Sequence, residues 1–316
     1  MTETGTILLW GLPADAPLAA VRDALQRMDC DVVLLDQRDV LDTEVELIVG
    51  SGVEGMLCVK GERIEFDAVS AVYPRPYDSR DLPVIAEAGH NSEAWQHALA
   101  VQDILNSWTE ITPALVVNRP AAGEANGSKP YQSLSVESLG FYIPDTLITT
   151  DPEIALEFWR RHQRVIYKSL SGIRSIVSHL TDEHMPRFQD VASCPTQFQQ
   201  YVPGIDYRVH LVGDEVFACR ILSDADDYRY SKRVDMQACE LPEEIDAQCR
   251  RLIASMNLLI AGIDLRCTPE NEWFCFEVNP SPGFTYFQGM TGQPIADAIA
   301  RLLASAPDHA CIASLV

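Results

Sequence analysis

The sequence predicts a chain of mixed α/β and α+β class, and three observations carry that reading. Strand and helix patterns alternate through the first third. From residue 196 onward short strand patterns follow one another around tight turns. With 47% hydrophobic and 22% charged residues over 316 positions, the chain can bury a sizeable core without a metal or disulfide staple.

Thr6 to Leu12 is a short apolar run, residues 16–29 carry Leu18, Val21, Leu25 and Met28 at helical spacing, and Asp31 to Leu35 is a second buried-strand run. Shorter strands are expected around 45–49 and 55–66. Ala71-Val72-Tyr73 then runs into Pro74-Arg75-Pro76-Tyr77-Asp78, whose prolines exclude a helix. A helix over 92–108, with Trp95, Leu99, Ile104, Leu105 and Trp108 apolar, completes a small unit with a parallel sheet. Beyond Asn118-Arg119-Pro120 the small residues up to Lys129-Pro130 read as a linker or active loop, followed by a helix and a strand at Thr146–Thr149. Asp151-Pro152-Glu153 predicts an N-cap with proline at the first helical position, and Val165 to Lys168 a strand. Strands are expected at 196–202, 206–212 and 215–222, with Gly213-Asp214 as a hairpin turn. A helix at 242–256, strands at 259–266 and 272–279 and a helix at 294–304 close the chain.

The formal net charge is −22, which repels phosphate backbones and anionic lipid surfaces. Nucleic acid and membrane are therefore excluded as partners, and a bound phosphate needs local cations or a metal. The nine cysteines form no C-x-x-C pair and sit mainly in apolar runs, as reduced thiols do. With no basic start, no long apolar stretch at the N-terminus and no run of 18 apolar residues, the expected compartment is the cytoplasm.

The chemistry gathers in the last hairpin. Strict alternation puts Phe274, Phe276 and Val278 on one face of their strand and Glu277 with Asn279 on the other. If the two strands pair through a Thr268–Asn271 turn, Asp264 faces Glu277 and Asn279. Two carboxylates and an amide oxygen are hard ligands suited to magnesium. A charged solvent face of an antiparallel sheet is the alternative. Pro280-Ser281-Pro282-Gly283 would fix Asn279 and expose backbone N–H groups.

Gly262-Ile-Asp264 followed by Glu277-Val-Asn279-Pro280-Ser281-Pro282-Gly283 resembles the metal-binding end of the ATP-grasp ligases, in their RimK-like, microviridin-type peptide ligase branch. Asn126-Gly-Ser-Lys129 resembles the segment with the first nucleotide-binding lysine. Lys168-Ser-Leu-Ser171-Gly172 resembles the second lysine with its phosphate-covering loop. Gln199, Gln200, Tyr201 and Val202 stand where the adenine-binding hinge would lie, and Asp206-Tyr-Arg208 where the family carries Asp-x-Arg. The resemblance implies an ATP-grasp fold with an N-terminal α/β domain (1–117) and two α+β subdomains (118–201 and 202–316) that sandwich ATP. It implies ATP with Mg2+, or Mn2+ in its place, held by Asp264, Glu277 and Asn279. Asp206 would meet the ribose, and Arg208, Arg220 and Arg229 would serve the transferring phosphoryl group. One glycine in the lid loop, and Gln200 where many relatives have Glu, depart from the family pattern.

Each assignment has a plainer counterpart. Lys168 could snorkel from its strand, Lys129 could be an exposed loop lysine, and Asp206 could belong to a cross-strand ion pair. His210 reads as a satisfied hairpin histidine. Arg75 and Arg80 either reach a carboxylate substrate or lie on surface loops. The implied reaction joins a carboxylate to an amine or hydroxyl acceptor through an acyl phosphate, on a peptide or amino acid, and leaves room for a homodimer. A phosphotransferase on the same fold and a nucleotide-dependent binding protein without turnover are the competing readings. A dinucleotide oxidoreductase is disfavoured, because the first strand leads into Gly11-Leu-Pro rather than G-x-G-x-x-G.

Overall fold

The computed structural model describes residues 5–123, 129–169, 178–194, 196–223 and 233–306. The side chains of Lys129, Pro130 and Ser169 are outside this description, as are Ser171, Gly172 and Arg229 altogether.

The first third follows the alternation in its sequence. Strands β1 (Thr6–Gly11), β2 (Val32–Asp36), β6 (Val69–Arg75) and β7 (Leu115–Val116) form a parallel sheet in the order β2-β1-β6-β7. Strands β3 (Thr43–Val49), β4 (Val53–Val59) and β5 (Glu62–Glu65) make a separate antiparallel sheet. Helix α1 (Ala16–Arg27) starts at Asp15, whose carboxylate accepts from the Leu18 N–H. After the short α2 (Pro83–Ala88), α3 (Glu93–Ile111) covers the sheet with Ala98, Val101, Leu105 and Trp108, and Trp108 stacks on Phe66.

A turn of helix, α4 (Pro120–Gly123), precedes α5 (Lys129–Ser138) and the second layer. Here β8 (Thr146–Thr149), β9 (Val165–Ser169), β10 (Ser178–His179) and β11 (Thr196–Gln200) form an antiparallel sheet ordered β10-β9-β11-β8. One face, with Leu147, Tyr167 and Phe198, packs on α6 (Pro152–His162) and on Phe188 and Val191. The Asp151 carboxylate accepts from the N–H groups of Glu153 and Ile154, as its place before Pro152 predicts. The opposite face carries Lys168 and Gln197, directly paired, with Gln199 two residues on.

The third layer is antiparallel: β12 (Ile205–Val212), β13 (Glu215–Ser223), β14 (Val234–Cys239), β15 (Ile260–Cys267) and β16 (Trp273–Asn279), ordered β14-β13-β12-β15-β16. Its core face holds Val209, Leu211, Ala218, Ala261, Ile263, Leu265, Cys275 and Val278 under α7 (Glu243–Ser255). After α8 (Thr285–Thr291), α9 (Ile295–Ala304) returns to the first sheet. Ile295, Ala298, Ile299 and Leu303 share one core with Leu9, Leu18, Val21 and Leu25 of β1 and α1.

Strict alternation fails in β16. Asp264 pairs with Glu277 but Leu265 pairs with Cys275, so Phe276 is an extra residue, a β-bulge. Val278 therefore shares the buried face with Cys275 and Trp273 instead of with Phe274 and Phe276. The bulge releases Phe276 to the wall of a cleft while leaving Glu277 opposite Asp264.

Candidate active site

The face of the third sheet opposite α7 gathers the charged residues. In an antiparallel pair, directly opposed residues point to the same side, with Cβ atoms roughly 5 Å apart. Arg208 opposes Asp264, Asp264 opposes Glu277, and Gly262 opposes Asn279. The metal set expected from the sequence is thus assembled by register: two carboxylates side by side, the amide one step along. Asn279 Oδ1 accepts from the Ser281 N–H at 2.9 Å, and its second lone pair leaves capacity for a cation. The Pro280–Pro282 turn is braced from behind, because Asn118 Nδ2 donates to the carbonyls of both Pro280 and Ile260 at 2.7 Å. Among the described residues no group of three or more His, Cys, Asp or Glu converges. The donors are all oxygen, so the set fits a hard divalent ion.

Arg208 is 8% exposed and donates from Nη1 to Asp264 Oδ1 at 2.7 Å. A Cβ on Gly262 would collide with the Arg208 guanidinium and with Pro282, so the glycine before Asp264 clears room for this arginine. His210, on the same face, is fully buried beside it. Burial, then the charge of Arg208, drive the His210 pKa well below its ordinary value and keep the ring neutral.

Across from this sheet lies a cavity of about 680 Å³, lined among others by Lys168, Gln197, Gln199, Thr146 and Ile148 of the second layer and Phe276 of the third. Lys168 thus lines a cleft that Phe276, the neighbour of Glu277 on β16, also lines. Of the hinge residues, Gln199 lines the cleft, whereas Gln200 turns to Asp145, whose N–H donates to its side-chain oxygen at 3.3 Å. Tyr201 lies under the Arg164 guanidinium, 3.7 Å from carbon to ring centroid, and Val202 is buried.

Other expected residues sit elsewhere or are engaged. Asp206 forms a two-pronged pair with Arg266, at 2.6 and 2.9 Å, and Arg266 also donates to the Val202 carbonyl. That is the cross-strand pair of the plainer reading. Arg220 opposes Tyr207, not Arg208, so it points to the other side of the sheet from Asp264 and Glu277. The two-residue turn at Gly213-Asp214 carried that signal: pairing Val212 with Glu215 forces Arg208 onto Cys219 and Arg220 onto the opposite face. Arg75 does not line this cleft but a smaller cavity of about 160 Å³, together with Asn118 and Ser281. It pairs with Asp15 at 2.8 Å and donates to Ser281 Oγ at 2.8 Å, tying β6 and the start of α1 to the turn after Asn279. Arg80 pairs with Asp78 on the surface. No described helix is long and apolar enough to cross a membrane, and the described cysteines are free.

A scan against protein-family models and a search of curated proteins each found no match. Solved structures do match. The macrocyclase MdnC of Microcystis aeruginosa MRC, bound with the precursor peptide MdnA, superposes with a TM-score of 0.81 at 23% identity over 94% of this chain and 99% of its own. A RiPP-associated ATP-grasp ligase of Chryseobacterium gregarium, in complex with ADP and a leader and core peptide, gives 0.81 at 21% identity over 96% and 97%. The ATP-grasp ligase PsnB, complexed with minimal precursor, Mg and ADP, gives 0.78 at 25% identity over 95% and 96%. Near-complete coverage of both partners in each superposition shows that this chain has the ATP-grasp fold.

Proposed function

We propose that the chain is an ATP-dependent ligase that joins a carboxylate to an amine or hydroxyl through an acyl phosphate, releasing ADP and phosphate, with a peptide as substrate. One observation carries this reading: Asp264 and Glu277 stand opposed, and Phe276, next to Glu277 on β16, lines a cleft whose other wall presents Lys168. That arrangement supports bringing two anions together in a site screened from water. The peptide substrate is favoured by the precursor peptides bound to the structurally similar ligases. Cytoplasm, where ATP and reduced thiols coexist, is the compartment of this reading, and 1–117, 118–201 and 202–316 are its three parts.

Asp264, Glu277 and Asn279 would hold magnesium, which when bound supplies charge neutralisation for the phosphates. Lys168 contributes a compact positive charge to the phosphate end of the cleft. Gln199 and Gln197 offer amide donors and acceptors along its wall. Arg208 carries a full positive charge held by Asp264, ready to follow negative charge that develops beside the carboxylates. Asn118 and Arg75 hold the Pro280–Pro282 turn and so fix Asn279.

The test is an ADP-release screen of the purified chain with magnesium against carboxylate-bearing peptides, followed by mass spectrometry. The expected result is ADP and free phosphate in equal amounts, with loss of one water from the joined substrate and no release by Lys168→Ala. A stable phosphorylated product would replace this reading by a phosphotransferase. Tight ATP binding without ADP across a broad panel would replace it by a binding protein.

A further inference from the structure

His210 stands two residues from Arg208 on β12, on the same face of the sheet, with no exposed surface. Its Nε2 lies 3.3 Å from Arg208 Nε, while its Nδ1 is buried with no hydrogen-bond partner. The imidazole packs 5.1 Å from the Phe287 ring, and the Arg208 guanidinium carbon lies 5.5 Å from the same ring. Arg208 is therefore boxed on several sides: His210 at Nε, Asp264 at Nη1, the Phe287 ring facing the guanidinium carbon, and the side-chain-free Gly262 against Nη2.

A guanidinium only donates, so the nitrogen facing Arg208 Nε must be the accepting one. This fixes His210 as the neutral tautomer with its proton on Nδ1. The choice of residue type has a physical reason. An aliphatic side chain would fill the volume but remove the acceptor from the Nε–H of a charged group, a larger cost than the neutral Nδ1–H that His210 itself leaves without a partner. A second carboxylate beside Asp264 would accept the bond but add a further negative charge. A neutral imidazole holds the guanidinium in place without adding one.

We propose that His210 is a positioning residue for Arg208: its Nε2 lone pair fixes the roll of the guanidinium so that the Nη edge, on Asp264 in this structure, is presented to the transferring phosphoryl group. The inference rests on the ligase reading for its last clause, whereas the bond itself stands apart from turnover.

Two variants and one spectroscopic measurement test it. In the full-length protein, nitrogen-15 NMR should find His210 protonated on Nδ1 and bare on Nε2, with a slowly exchanging Arg208 Nε–H. His210→Leu should speed that exchange and lower kcat for ADP formation about 10- to 100-fold, the loss of one bond to a charged group, with KM for ATP changed by less than about twofold. His210→Gln, whose amide oxygen can reach the same donor, should restore slow exchange and most of kcat. Protonation on Nε2, a fully active Leu variant, or a folded Gln variant as slow as the Leu variant would each overturn the proposal. A wild-type protein that makes no ADP would instead sink the ligase reading, and the tautomer and exchange data would still decide the role of His210.

Discussion

Asp264 and Glu277 are opposed on neighbouring strands, where like charges ordinarily repel, and Arg208 at 2.7 Å offsets the cost on one of them. The two carboxylates should therefore respond differently to neutralisation. Glu277→Gln removes one of the two charges and should cut ADP formation about 100-fold. Asp264→Asn also cuts activity but strips the partner from a buried guanidinium, and should cost about 1–3 kcal/mol in urea unfolding. An Asp264→Asn variant as stable as the wild type would contradict this description of the pair. At this scale the sequence was informative where residue type and strand parity coincide: Asp264, Glu277 and Asn279 lie at spacings that alternation places on one face. It failed for Arg220, where residue type was weighed and the parity set by the Gly213-Asp214 turn was not. The partnership of His210 with Arg208 was open to the same parity reading, but the bond between them depends on burial under Phe287, from an element 77 residues further along.

Helix α6 shows how much of an element can be read from its first three residues. Asp151 caps it, Pro152 opens it and Glu153 accompanies the positive end of its dipole. Asp151→Ala should lower stability by about 1 kcal/mol, seen as earlier unfolding, without altering magnesium dependence, since α6 packs on the face of its sheet away from Lys168. Loss of magnesium dependence on removing this cap would mean that the second layer is less rigid than its packing implies. The bulge at Phe276 is the opposite case. Trp273 to Asn279 alternates well enough to predict a regular strand, and no glycine marks the insertion. Only the packing of Cys275 and Val278 on α7, together with Glu277 facing Asp264, requires the extra residue. Strands β7, β10 and β14 were likewise unread, because two-residue strands carry no periodicity and β14 is an edge strand with a polar face.

For the whole molecule, the sequence separated an α/β first third from an antiparallel last third, and the structure joins them. Helix α9 completes the core under α1, and Arg75 bridges Asp15 to Ser281. Such long-range closure leaves no local signature, which is why Arg75 read as either a substrate contact or a surface-loop residue and not as a strut. The buried, neutral His210 also gives the fold a pH response. Burial and Arg208 hold its pKa well below the usual value, so below about pH 6.5 the unfolded chain binds a proton that the native state refuses. Stability then falls with acidification; relative to His210→Gln, the wild type should lose up to ~2 kcal/mol more between pH 6.5 and 5 in denaturant titrations. An identical pH slope in the two proteins would contradict a neutral core histidine. The central claim, that these layers activate a carboxylate by phosphorylation, has its most direct measurement in oxygen transfer. With a peptide whose reacting carboxylate is labelled with heavy oxygen, one labelled oxygen per turnover should appear in the released phosphate, dependent on Lys168 and Glu277. Phosphate that carries no label while ADP is formed would contradict it.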